Sequence, residues 1–101
     1  MTRRVLVTEH AETELHDIAR WYDGRCPGLG KAMLAKFELT VIQIEQFPES
    51  FERIDERYRR AFLGRFPYFI VYRVVVDTVR ILRVMPEKGD PQMVSQLPMA
   101  K

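Results

Sequence analysis

The residues of this chain best suited to chemistry are its arginines. Arg60, Arg73, Arg80 and Arg83 stand in the second half, among Arg53, Arg57, Arg59 and Arg65, and Glu87 and Lys88 follow them. A guanidinium is planar, permanently charged, and presents a fork of donors that matches phosphate or carboxylate. Arg73, Arg80 and Arg83 therefore have the charge to hold a phosphate during in-line RNA cleavage. That reaction also needs a base for the attacking 2′-OH and an acid for the leaving oxygen. Arginine stays protonated and supplies neither readily. Glu87 has suitable chemistry but is only a weak candidate. It follows Pro86 at the end of an apolar run, where nothing predicts the burial that would raise its pKa.

The other reactive residue types have simpler readings. His10 and His16 are six residues apart, a spacing that puts no metal pair on one helix face, so they read as surface histidines. Cys26 precedes Pro27 with no base beside it. A single cysteine also excludes a disulfide framework and a zinc site of paired cysteines. Gly28-Leu29-Gly30 is too short to cradle a phosphate and reads as a helix start after Pro27. Tyr68 and Tyr72 are expected in the sheet or at its rim, and Trp21 in the core or an interface. No cofactor and no metal is expected.

Charge is unevenly placed. The formal net charge is only +2 over 101 residues. Glu9 to Glu52 holds nine acids and four bases, a balance of −5. Arg53 to Arg83 holds eight arginines and three acids, a balance of +5. Such a surface is either a solvated strand face or a dock for nucleic acid or an acidic protein. With 47% hydrophobic residues, one domain can build a core without a metal or disulfide. No apolar run approaches a membrane span, and the N-terminus lacks a signal-peptide core, so a cytoplasmic protein is expected.

The elements that must position these residues follow from periodicity. Arg3 to Thr8 reads as a strand. Thr8 can cap a helix whose stripe is Ala11, Leu15, Ile18, Ala19 and Tyr22, stopped by Gly24 and Pro27. A second helix runs from about Leu29 to Phe47 and ends at Pro48. Leu29, Met33, Leu34, Phe37, Val41, Ile44 and Phe47 fall on one face; Leu39 and Ile42 point to the far side. A second apolar face needs another partner. Tyr58–Leu63, Tyr68–Val76 and Val79–Met85 read as three antiparallel strands, with Asp77-Thr78 as the last turn. A two-residue turn there puts Ile70, Tyr72, Val74 and Val76 on one face with Val79, Ile81, Arg83 and Met85. Phe69, Val71, Arg73 and Val75 then share the other with Arg80, Leu82 and Val84. Both faces are largely apolar, so the second needs cover from the C-terminal tail or a partner. The predicted class is α+β, in the order β-α-α-β-β-β, with a two-helix hairpin on a small, mostly antiparallel sheet. Residues 1–91 form the domain, and 92–101 a polar, poorly ordered tail.

Three stretches carry a family resemblance. They are Ala19-Arg20-Trp21-Tyr22 with Pro27-Gly28-Leu29-Gly30, then Ile44-Glu45-Gln46-Phe47-Pro48-Glu49-Ser50-Phe51, then Arg59-Arg60-Ala61-Phe62-Leu63-Gly64-Arg65-Phe66-Pro67-Tyr68 through Tyr72-Arg73-Val74. In this order and spacing, from about Val5 to Pro91, the chain resembles the ParE/RelE superfamily of type II toxins, and the ParE-like branch most closely. The resemblance implies the fold above and a cytosolic bacterial toxin blocked by a cognate antitoxin that wraps it. A higher-order toxin-antitoxin complex is a further expectation. ParE-type members poison DNA gyrase; RelE-type members cut messenger RNA on the ribosome.

The chain departs from the pattern at one end. Pro86 stands where the family often has His, and Glu87, Lys88 and Gly89 replace much of a basic run; Asp90-Pro91 keeps it. RelE-type cleavage relies on a terminal Tyr or His, and neither follows Tyr72. Three readings stand: a toxin that binds gyrase, a ribosome-dependent endoribonuclease, and an inactive relative that binds only antitoxin. Leu39, Ile42, Arg60, Arg73, Arg80, Arg83 and Lys88 are the expected contacts for antitoxin or target.

Overall fold

The structure, a computed structural model, describes residues 3–88. Its first junction depends on Thr8, which separates β1 (Arg4–Val7) from α1 (Glu9–Arg25). The Thr8 hydroxyl accepts from the Ala11 N–H at 3.2 Å, and Glu9 and Glu12 occupy the first turn. Both features favour the helix N-terminus, through a satisfied donor and through the dipole. The same hydroxyl donates to the Leu82 carbonyl at 3.2 Å, so the cap also ties the helix to the sheet.

The second helix, α2 (Leu29–Gln46), starts from Gly28 in a left-handed conformation, with φ 89°. No side chain of its own caps it. Instead Asp23 of α1 accepts the Gly30 N–H at 2.8 Å and the Gly28 N–H at 3.2 Å. Gly30 lets the helices approach this closely, since a Cβ there would lie 2.2 Å from the Ala19 carbonyl oxygen. The expected stripes are observed. Ala11, Leu15 and Ala19 of α1 and Met33, Phe37 and Ile44 of α2 are buried. Phe47, expected on the buried face, is 63% exposed, because the helix ends one residue earlier and the chain turns outward through Pro48–Ser50.

Four strands follow: β2 (Glu52–Arg53), β3 (Arg59–Phe62), β4 (Tyr68–Val75) and β5 (Thr78–Pro86). The sheet order is β1-β5-β4-β3-β2, with β1 parallel to β5 and the other pairs antiparallel. This is the expected α+β arrangement, with one short strand added at the far edge. The last turn is Val76-Asp77 rather than Asp77-Thr78, since Val75 pairs with Thr78.

The register also shifts. Val71 opposes Arg83 but Tyr72 opposes Ile81, so Leu82 is an extra residue, a bulge. Val84 thereby joins Ile70, Tyr72, Val79 and Ile81 under the helices. Met85 joins Phe69, Val71 and Leu82 on the outer face. Strict alternation from the turn exchanges Val84 and Met85. On the outer face, Tyr58 and Ile54 from the β2–β3 connection pack against Phe69, Val71, Leu82 and Met85. The Asp55 carboxylate holds that connection by accepting from the N–H groups of Arg57 and Tyr58 at 2.8 and 2.9 Å. Part of the cover is therefore internal. The tail expected over 92–101 lies outside the described residues.

Tyr72 joins the layers. Its hydroxyl donates to the Pro48 carbonyl, just past α2, and the Phe51 ring meets its ring edge-on at 6.2 Å. Burial pushes its phenol from the ordinary 10.0 up to about 12.

Two expectations follow from this packing. Gly30→Ala gains helix propensity but forces a methyl against backbone, so stability should fall by roughly 1–3 kcal/mol in urea denaturation. An unchanged midpoint would refute the close contact. At alkaline pH the unfolded chain releases the Tyr72 proton first. The stability from keeping it neutral is whole below about pH 10 and is lost as pH rises to about 12. Tyr72→Phe should be less stable at neutral pH by about 1 kcal/mol and should lose most of that alkaline slope. Parallel pH–stability curves for the two proteins would contradict this.

Candidate functional site

The structure separates the arginines into matched and unmatched charges. Arg83 is matched. Its Nε lies 2.8 Å and its Nη2 2.6 Å from Oε2 of Glu14 on α1. Oε1 of the same carboxylate accepts the Val84 N–H at 2.9 Å. β1 pairs with β5 only as far as Ile81, so the β5 edge beyond it has no strand neighbour among the described residues. The Glu14 carboxylate and the Thr8 hydroxyl satisfy that edge instead. His10 Nε2 lies 3.4 Å from the same Glu14 oxygen. Sequence reasoning passed over Glu14, whose only signal was its place on the acidic first helix.

Arg60 is matched as well. It forks onto Glu52 across β2 and β3 at 3.0 and 3.2 Å, and its guanidinium lies over the Phe62 and Phe69 rings. The hydrogen bonds from Arg60, and then its charge, hold the Glu52 carboxyl below the usual range.

Arg73 and Arg80 are the unmatched pair. They are directly opposite on β4 and β5, and Arg80 is also in register with Leu6 of β1. Among the described residues neither makes an ion pair. Like charges facing each other across a ladder cost stability, and a bound anion relieves that cost. Arg73 also borders a cleft of about 310 Å³ with Arg53, Arg59 and Tyr58. Arg53 and Arg59 donate there to backbone carbonyls, which leaves their charge in place. Glu49, Asp55, Glu56 and Asp77 border the same cleft, so its charge is mixed.

The acid–base candidates do not converge on Arg73 and Arg80. Glu87 is exposed past the end of β5, where its N–H donates to the Pro67 carbonyl at 2.9 Å, and Lys88 is exposed beside it. His10 and His16 are exposed on α1, on the opposite side of the sheet from Arg73 and Arg80. The Tyr72 hydroxyl is buried on Pro48. Among the described residues there is no group of three or more His, Cys, Asp or Glu able to hold a metal. No helix among them is long and apolar enough to cross a membrane.

A second surface is apolar. Leu39 and Ile42 of α2 are 58% and 48% exposed, as their far-side positions predict. Ile42, Val41 and Phe37 border a shallow depression with Val7 of β1. β1 is an edge strand. Arg4 and Thr8 donate their N–H groups towards β5, so those of Val5 and Val7 face the open edge. An open edge can accept an added strand.

The fold is shared with a solved structure. A chain described as "Chromosomal ParDE TA system from P. aeruginosa" superposes with a TM-score of 0.74 at 21% identity, covering 84% of this chain and 96% of that one. Toxin ParE2 of Mycobacterium tuberculosis (strain CDC 1551 / Oshkosh) is 27% identical over 95 residues, 93% of this chain and 90% of the relative. Toxin ParE2 of strain ATCC 25618 / H37Rv matches to the same extent. Residues 5–91 match the model of the ParE toxin of the type II toxin-antitoxin system, parDE. The chain belongs to that family: it is a ParE-type toxin, one half of a toxin-antitoxin pair whose other half is an antitoxin protein.

Removing Glu14 should be costly, because it leaves the half-buried Arg83 unmatched and the Val84 N–H without its acceptor. Glu14→Ala should lose roughly 1.5–3 kcal/mol, and Glu14→Gln less, since the amide oxygen can still accept. Thermal unfolding beside the exposed control Glu12→Ala measures this. Equal losses in Glu14→Ala and the control would remove Glu14 from this role.

Proposed function

We propose that this toxin acts in the cytoplasm by binding rather than by cutting RNA, with DNA gyrase as its target. The commitment of Arg83 to Glu14 carries the reading. A nuclease site at this end of the sheet needs Arg83 free beside an acid–base group. Arg83 is occupied, and Glu87 is exposed past Pro86. Gyrase is the target that the ParE branch implies. The working domain is residues 1–91; the family match over 5–91 supports that boundary.

The cognate antitoxin docks where the toxin is incomplete. Leu39 and Ile42 offer apolar surface beside the open β1 edge. Arg73 and Arg80, with Lys88 at the end of the sheet, attract an acidic, amphipathic segment. Arg60 and Arg83 contribute less, because Glu52 and Glu14 already neutralise them. Long-range attraction speeds encounter and fades with salt, and apolar contact sets the lifetime.

Purified toxin should inhibit gyrase supercoiling and leave transcripts intact on translating ribosomes. Codon-positioned cuts that vanish in Glu87→Gln would place the chain with the nucleases, and silence in both assays would make it an inactive antitoxin binder. Arg73→Ala with Arg80→Ala should slow antitoxin association at low salt and flatten its salt dependence. An unchanged rate and slope would exclude the pair from docking.

A further inference from the structure

The cleft beside Arg73 holds charge that the fold leaves unanswered. It measures about 310 Å³, and Arg3, Arg53, Arg59 and Arg73 border it. Arg59 and Arg73 are half-buried. Three of the four are held by neutral acceptors. Arg59 Nη1 donates to the Phe51 carbonyl at 2.8 Å and to the Glu49 carbonyl at 3.3 Å. Arg53 donates to the carbonyls of Asp55 at 3.4 Å and Glu56 at 3.1 Å, and Arg3 to that of Glu45 at 3.3 Å. A carbonyl fixes a guanidinium without cancelling its charge. The turn that holds Arg59 is itself fixed, because the Tyr72 hydroxyl donates to the carbonyl of Pro48 at its start.

Acids are not scarce here, so the lack of pairing is informative. Glu49, Asp55, Glu56 and Asp77 border the same cleft and are exposed. Among the described residues none forms an ion pair with Arg3, Arg53, Arg59 or Arg73. The Asp55 carboxylate accepts from the Arg57 and Tyr58 N–H groups instead. Arg60 and Arg83, half-buried elsewhere on the sheet, each take a carboxylate.

We infer that this cleft binds a dianionic terminal phosphate, as inorganic phosphate or as a phosphate monoester. A carboxylate has two oxygens and one charge, and a single guanidinium answers it, as at Glu52 and Glu14. A terminal phosphate carries close to two charges at neutral pH and three strong acceptor oxygens. It can take donors from several guanidinia at once, and the cleft supplies them. A phosphodiester, with one charge and two free oxygens, answers the site less fully. Guanidinia already held by carbonyls lose little freedom when the anion arrives. The volume lies at the small end of ligand sites, which suits a phosphate with a small group attached. Arg73 alone is common to the cleft and the antitoxin contacts proposed above; Arg53 and Arg59 belong only to the cleft. The inference does not depend on what the toxin's target is.

Isothermal titration calorimetry of the whole chain at low ionic strength tests this. The probes are inorganic phosphate, a nucleoside 5′-monophosphate, a dinucleotide whose only phosphate is a diester, and succinate as a dianion of carboxylates. Phosphate and the monophosphate should bind at least about tenfold more tightly than the diester and succinate. Tighter binding of the monophosphate assigns an ester, and otherwise the ligand is free phosphate; either supports the site. Arg73 makes no side-chain hydrogen bond or ion pair among the described residues, so Arg73→Gln should fold normally. Arg73→Gln and Arg53→Gln should each weaken phosphate binding by about tenfold. Arg25→Gln, which removes the same charge away from the cleft, should stay within about twofold of wild type. Arg53→Gln should also leave the rate of antitoxin association unchanged. Succinate or the diester binding as tightly as phosphate would overturn the inference. So would wild-type affinity in both cleft variants, an equal loss in Arg25→Gln, an equal loss of antitoxin association in Arg53→Gln, or no binding of phosphate at millimolar concentration.

Discussion

The fold depends on what satisfies the edge of β5. β1 is four residues long and its pairing stops at Ile81, yet β5 continues to Pro86. A strand edge in the interior cannot keep idle N–H and C=O groups without a cost of about one to three kcal/mol each. The chain answers with side chains rather than more strand. Thr8 takes the Leu82 carbonyl and Glu14 takes the Val84 N–H. Both residues sit at the start of α1, so the same contacts fix where that helix lies on the sheet. Arg83 completes the arrangement by neutralising Glu14, because a half-buried carboxylate needs a matched cation. The acidic first half and basic second half of the chain meet at this point.

The bulge at Leu82 has a consequence as wide. Without it β5 would alternate strictly, and Met85 rather than Val84 would lie under the helices. With it, Val84 completes the inner core and Leu82 and Met85 both serve the outer one. Two cores in so short a chain need two covers. The helix hairpin forms one. Tyr58 and Ile54 supply at least part of the other, on a connection stiffened by Asp55.

Much of this was legible in the sequence. The helical stripes, the Thr8 cap, the exposure of Leu39 and Ile42 and the α+β order follow from periodicity and capping chemistry, which are local. The bulge was not legible, because alternation carries no mark of an inserted residue; Leu82 is as apolar as its neighbours. The Val76-Asp77 turn was misplaced by one residue, since Val76 takes a left-handed φ of 57° that a β-branched residue rarely adopts. The Glu14–Arg83 pair joins residues 69 apart in the chain, and no local rule selects one acid of α1 over another. Arg83 therefore looked like Arg73 and Arg80 until the tertiary contacts separated them.

That separation changes how the basic half of the chain should be understood. A balance of +5 over Arg53 to Arg83 suggests a broad cationic face. The fold neutralises part of it internally, at Glu52 and Glu14, and leaves Arg73 facing Arg80 with no ion pair on either among the described residues. An isolated domain gains nothing from that juxtaposition, and the repulsion opposes folding. The apolar surface at Leu39 and Ile42 is likewise a cost in water. A partner that brought carboxylates and apolar side chains together would remove both costs. A chain paired with an antitoxin can carry such defects, because a partner that binds only the folded state stabilises that state by mass action.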